Sequence, residues 1–177
     1  YIISITMHGM YYERENLQEH YEKLDQVLEG KNIDRKDSNV MTTYYYMGCV
    51  MEFDKALGVM FEDLEKKNLL DNTTIMMFGD HNTYYQGLSN YVKDIYSYDD
   101  ENYTNLYRVP MMIYDEKLVN AMENNNDSRM VNKFTTTYDL VPTLLDLMGI
   151  KYYTNFYFGH SIFEEQESVL YSRAYNI

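Results

Sequence analysis

The run Thr73-Thr74-Ile75-Met76-Met77-Phe78 is apolar and β-branched, stops at Gly79, and is followed at once by Asp80-His81. On a regular strand two neighbours face opposite sides, whereas on a tight turn both can enter one cavity. There they offer a hard oxygen and an imidazole nitrogen to a divalent cation. In an α/β protein, ligands bind beyond the carboxyl ends of the strands, which is where this pair falls. The plainer reading is a turn Asp bonded to its own backbone beside an incidental His. Two ligands do not complete a metal site, so the rest must come from elsewhere.

His8 is the second candidate, because it directly follows the apolar segment Tyr1-Ile2-Ile3-Ser4-Ile5. An imidazole at a strand end can hold an anionic oxygen or protonate a leaving group. It can equally cap the strand by bonding to backbone. The other histidines read differently: His20 sits in a polar helix and is expected at the surface, and His160 is expected in a turn. Cys49 lies between apolar positions with no cation adjoining it to lower its pKa, so it reads as a small buried residue. Tyr11, Tyr12, Tyr84 and Tyr85 are weak candidates for a substrate mouth in a chain with 21 tyrosines. There is no GxSxG elbow, Walker loop, GxGxxG or paired-cysteine motif, and no Ser, Thr or Cys stands out as an activated nucleophile.

These residues need elements to hold them. The pattern predicts a first strand over residues 1–6 and a turn at Met7-His8-Gly9. Leu17, Tyr21, Leu24 and Leu28 at helical spacing predict a helix over about 15–29. A charged loop over 31–39 follows, with Asp37 or Ser38 as N-cap. The longest helix is expected over about 40–67, with Met47, Val50, Phe53, Leu57, Met60 and Leu64 on one face. A short connector then leads to a strand at 73–78, which reads as the crossover half of a βαβ unit.

Residues 82–107 read as a long loop, and Arg108 to Tyr114 as another buried strand with Pro110 near its start. Residues 117–123 fit a short helix, and 124–127 a solvated loop. Thr137 or Asp139 starts a helix carrying Leu140, Val141, Leu144, Leu145 and Met148, which Gly149 ends. Pro142 is acceptable only within its first turn. Residues 168–174 could supply a final strand. The expected fold is α/β, a mixed, mainly parallel sheet flanked by helices. No repeat or linker divides the chain, so residues 1–177 read as part of a single domain.

Composition bounds the function. Fifteen Lys and Arg against 28 Asp and Glu give a net charge of −13, which argues against general nucleic-acid binding. A small anionic substrate remains compatible, since one metal ion reverses the local field. A start within an apparent strand predicts a fragment of a longer protein, so a missing leader or anchor carries no weight.

In their order along the chain, several segments resemble the alkaline phosphatase and sulfatase superfamily, and within it the lipoteichoic acid synthase-like proteins. They are Ser4-Ile5-Thr6-Met7-His8-Gly9; Asp54-Lys55-Ala56-Leu57-Gly58 leading to Leu69-Leu70-Asp71-Asn72-Thr73; Phe78-Gly79-Asp80-His81; Arg108 to Tyr114; Asp139 to Leu145; and Phe158-Gly159-His160-Ser161-Ile162-Phe163.

The resemblance is to the carboxyl-terminal half of that catalytic domain. It implies Asp80 and His81 as ligands of one divalent metal, Mn or Zn, with Mg or Ca as alternatives. It implies His8 as a contact to the substrate phosphate or sulfate. The family's nucleophile and a further acidic ligand have no counterpart in this chain. The second metal of some relatives needs a histidine soon after the Asp-His pair, and none occurs between Asn82 and Tyr107.

The implied activity is transfer of a phosphoglycerol or phosphoethanolamine unit, or phosphodiester cleavage. The substrate is a lipid-linked or cell-envelope ester, attacked by an upstream Thr. Alternatives are a formylglycine sulfatase and a non-catalytic relative. The parent is expected to be membrane-anchored at the extracellular face of a bacterial cell. The fragment alone is expected to be inactive and able to self-associate.

Overall fold

The structure is a computed structural model that describes residues 2–82, Leu88, 108–124 and 130–165. The chain divides into two compact units, one of Tyr1–Asn72 with His81–Pro110 and the other of Thr73–Asp80 with Met111–Ile177. The strand predicted over 168–174 lies outside the described residues, as does nearly all of the 82–107 loop.

The first unit is built on a helix pair. A single 3-10 turn, Glu15–Leu17, leads into α1 (Gln18–Val27). The long helix α2 (Ser38–Lys66) starts where Asp37 caps it, the Oδ1 accepting from the Asn39 and Val40 amides at 2.7 and 3.3 Å. That is one of the two predicted caps, and it satisfies donors that have no partner within the helix. Leu17, Tyr21, Leu24, Tyr44 and Cys49 form the core between the helices, with Met7, Tyr11, Met41 and Tyr45 packed on its margin.

On the predicted face of α2, Val50, Phe53, Leu57, Met60 and Leu64 are half-buried, but the most deeply buried residues lie elsewhere. Tyr44, Gly48 and Cys49 are buried, whereas Met47 is exposed. The reason lies in α1: a Cβ at position 48 would collide with the Tyr21 ring, so glycine is what lets the aromatic approach. Hydropathy alone does not register a glycine as a contact surface.

His20 also departs from expectation, being buried rather than at the surface. Its Nε2 lies 2.7 Å from Glu52 Oε2 on α2, and its buried Nδ1 has no hydrogen-bond partner among the described residues. The loop between the helices is held by Arg35, whose guanidinium binds Asp25 and lies 4.9 Å from the centre of the Tyr44 ring. The Tyr44 hydroxyl donates to Asp25 Oδ1 at 2.8 Å.

The strand predicted over 1–6 is absent. Residues 2–4 have no regular structure, Ile5 to Gly9 form a turn and bend, and Ile2, Ile3 and Ile5 are exposed. Strand propensity is a measure of fit to a pleated, half-buried surface, and here no described strand pairs with this segment.

In the second unit β1 (Ile75–Phe78) pairs with β2 (Met111–Tyr114), Ile75 opposite Tyr114 and Phe78 opposite Met111. The pairing is antiparallel, so among the described residues the mainly parallel sheet is not found and the βαβ crossover is not formed. Alternating helices and strands specify their order but carry no information on strand direction. The strand at 108–114 is shortened to begin after Pro110, which has no amide to give a ladder.

Asp115 ties the ends of this hairpin together. Its Oδ2 accepts from the Thr74 hydroxyl at 2.5 Å, and its Oδ1 from the Leu118 amide at 3.0 Å, at the start of α3 (Glu116–Asn124). Thr136 and Asp139 then form a capping box ahead of α4 (Leu140–Leu147), in which Pro142 is buried within the first turn as required. Gly149 ends that region at φ +65°, as predicted.

No helix among the described residues is long and apolar enough to cross a membrane.

Candidate functional site

Within the first unit His8 and His81 come together. Their ring centroids are 6.5 Å apart with the planes at 86°, an edge-to-face arrangement. Both imidazoles are exposed. His8 Nδ1 lies 2.6 Å from the Gly9 carbonyl oxygen, and His81 Nδ1 lies 2.8 Å from that of Asn82. A carbonyl oxygen can only accept, so in both rings Nδ1 carries the proton and donates. In the neutral ring Nε2 then holds the lone pair, the form in which that nitrogen can ligate a metal or take up a proton.

The turn that presents His8 is fixed locally. The His8 amide donates to the Ile5 carbonyl at 3.0 Å, closing the turn. The Tyr11 hydroxyl donates to the Met7 carbonyl at 2.8 Å, and Arg14 Nη2 donates to the Met10 carbonyl at 3.1 Å. The carbonyls on either side of His8-Gly9 are therefore both engaged. The Tyr11 ring lies edge-on to Tyr46 of α2, centroids 5.1 Å apart, which faces it to the helix pair. Tyr12 is exposed and lies beside Arg14, while Tyr84 and Tyr85 fall outside the described residues.

Asp80 follows directly on β1 through Gly79 and is exposed, as expected for a residue at a strand's carboxyl end. It belongs to the second unit and its neighbour His81 to the first. Among the described residues there is no group of three or more His, Cys, Asp or Glu that could hold a metal. A carboxylate and an imidazole are donor types that Zn or Mn accepts, but two such donors do not make up a site.

The remaining candidates take structural roles. Cys49 is fully buried, and burial pushes its thiol upward, away from the nucleophilic thiolate. The His160 amide donates to Asp139 Oδ1 at 2.9 Å, and its Nδ1 lies 3.8 Å from Glu164. In the same segment the Ser161 hydroxyl donates to Asp146 Oδ2 at 2.6 Å, and the Ile162 amide to Thr143 Oγ1 at 3.1 Å. The Phe-Gly-His-Ser stretch thus acts as a strap across α4.

Sequence reasoning missed the Tyr11 and Arg14 contacts around His8. Only their proximity in the chain could have signalled them, since a side chain reaching back to a carbonyl leaves no periodicity.

The chain that carries this histidine pair matches the sulfatase family over residues 1–150. The chain belongs to that family, whose fold is of the α/β, alkaline-phosphatase-like class. It is similar to lipoteichoic acid synthase 1 of Bacillus subtilis (strain 168), 28% identical over 143 residues, which is 76% of this chain and 21% of that protein. It is likewise similar to the lipoteichoic acid synthase of Staphylococcus aureus (strain NCTC 8325 / PS 47), 27% identical over 135 residues, 75% of this chain and 20% of that one. The chain thus spans about a fifth of the length of these curated relatives. No solved structure matches it significantly.

Proposed function

We propose that this protein is a metal-dependent phosphoglycerol-type transferase or phosphodiesterase, acting on a lipid-linked or cell-envelope phosphate ester. The reading is carried by the pairing of His8 with His81 in a chain whose relatives are lipoteichoic acid synthases. Membrane anchoring with the site at the extracellular face belongs to the same proposal.

Asp80 and His81 would hold one divalent cation, Mn or Zn, together with ligands from outside these 177 residues. When bound, the cation lowers the pKa of a nucleophilic hydroxyl and offsets charge on phosphoryl oxygens. His81 keeps its proton on Nδ1 through the Asn82 carbonyl, which leaves Nε2 as the ligating atom. His8 is held in the same tautomer by Gly9. When protonated it offers an Nε2–H to a phosphoryl oxygen or to the leaving group.

The resemblance implies a Thr hydroxyl from outside these residues as the nucleophile; Cys49 does not suit the role, being buried with a thiol that disfavours ionisation. The 177 residues alone are therefore expected to show no turnover.

The test is transfer or hydrolysis of a phosphoglycerol-headgroup lipid by the intact protein with Mn, alongside a sulfate ester. Turnover of the lipid that Asp80→Ala abolishes supports the reading. Full activity in Asp80→Ala, or turnover of the sulfate ester alone, would overturn it.

A further inference from the structure

His8 is exposed, yet the residues on either side of it are anchored. Met7 and Tyr11 both pack on the core of the α1–α2 helix pair. The Tyr11 hydroxyl reaches back to the Met7 carbonyl at 2.8 Å, directly before His8, while its ring rests edge-on against Tyr46 at 5.1 Å. Arg14 Nη2 binds the Met10 carbonyl at 3.1 Å on the far side of Gly9. Arg14 is itself tied to the helix pair, its amide donating to the Tyr21 hydroxyl at 3.3 Å.

An exposed imidazole on a short turn would otherwise sample many orientations, since a turn lacks the ladder bonds that hold a strand end. Catalytic groups are effective only within narrow geometric limits, and a neighbouring bond that fixes the ring's backbone narrows them. We propose that Tyr11 is a positioning residue for His8, transmitting the rigidity of the α1–α2 pair to the imidazole through the Met7 carbonyl. Arg14 completes the bracket from the other side. The inference rests on the functional reading only for its catalytic consequence; the geometric claim stands apart from it.

The test uses the intact protein and Tyr11→Phe, which keeps the ring packing and removes only the hydroxyl. Imidazole NMR signals of His8, assigned by their loss in His8→Gln, should shift in Tyr11→Phe, while those of His160 stay in place. Tyr46→Phe, which retains the edge contact, should leave His8 unshifted.

With a phosphoglycerol-headgroup lipid, Tyr11→Phe should lower kcat about tenfold with little change in KM, the usual scale for a residue that orients a catalytic group. In a His8→Gln background the same change should cost nothing further. His8 signals unchanged in Tyr11→Phe, or an equal loss of kcat in the His8→Gln background, would overturn the proposal. A wild type with no lipid turnover but with the His8 shift present supports the positioning role and overturns only the functional reading.

Discussion

His8 and His81 stand edge to face with ring centroids 6.5 Å apart, and both donate Nδ1–H to the carbonyl of the residue that follows them. The second feature matters as much as the first. A local backbone bond sets the same tautomer in both rings, so each neutral ring has its lone pair on Nε2. The two nevertheless differ in what stands next to them, for His81 alone has a carboxylate, Asp80, as its chain neighbour.

That difference predicts a division of labour. In calorimetric titration of the intact protein with Mn, Asp80→Ala and His81→Ala should each weaken binding by at least about tenfold. Binding of unchanged strength in both variants would remove the pair from the metal site.

His8→Gln should behave otherwise. It should leave Mn affinity near that of the wild type and lower kcat by about 10²–10⁴, the range for losing a positioned acid or base. A fall in Mn affinity with kcat preserved would make His8 a ligand instead.

The interhelical loop predicts a pH effect. Hydrogen bonding to Arg35 first, then to Tyr44, holds the Asp25 carboxyl below its ordinary range. A carboxyl with a lowered folded pKa stabilises the fold above its unfolded value of about 3.9, and that contribution is lost as pH falls through the folded value. The side chain is half exposed, which keeps the contribution below about 1 kcal/mol. Chemical denaturation of Asp25→Asn should therefore show a smaller loss of stability on acidification than the wild type, with the difference confined to the acid limb.

Asp139 should be the most sensitive position in the second unit. Its fully buried carboxylate accepts from the Thr136 amide at 2.6 Å and the His160 amide at 2.9 Å. Asp139→Ala would strand both donors and cost about 3 kcal/mol. Gly159→Ala tests the same junction, because a Cβ there would meet the Tyr138 carbonyl and come within 2.6 Å of the Asp139 amide. Thermal melts of both variants should fall by several degrees, and a Gly159→Ala melt equal to the wild type would contradict the close approach.

How far the sequence could be read depended on whether the signal was local. Asp37 as a cap, Gly149 as a terminator and Pro142 in a first turn were legible because each is set by the dihedrals and orphaned backbone groups of its own few residues. Cys49 was legible as a buried thiol because its neighbours on the helix are apolar. The family was legible from motifs whose order survives at low identity. His20 was misread because its ion-pair partner, Glu52, is on another helix that no window around position 20 contains.

The sequence by itself determined the helices, the two short strands, and the Asp80-His81 pair together with His8 as the residues to watch. These follow from side-chain type and spacing, which act over one or two turns of chain. Tertiary structure alone decided that β1 and β2 run antiparallel, that residues 2–4 join no described strand and a turn follows at 5–8, and that Gly48 is a contact for Tyr21. It also decided that His8 meets His81 and that Tyr11 holds the backbone before it. Strand direction, burial and ring-to-ring distance all depend on partners far along the chain, and pairwise contact of that kind leaves no period in the sequence for a reader to find.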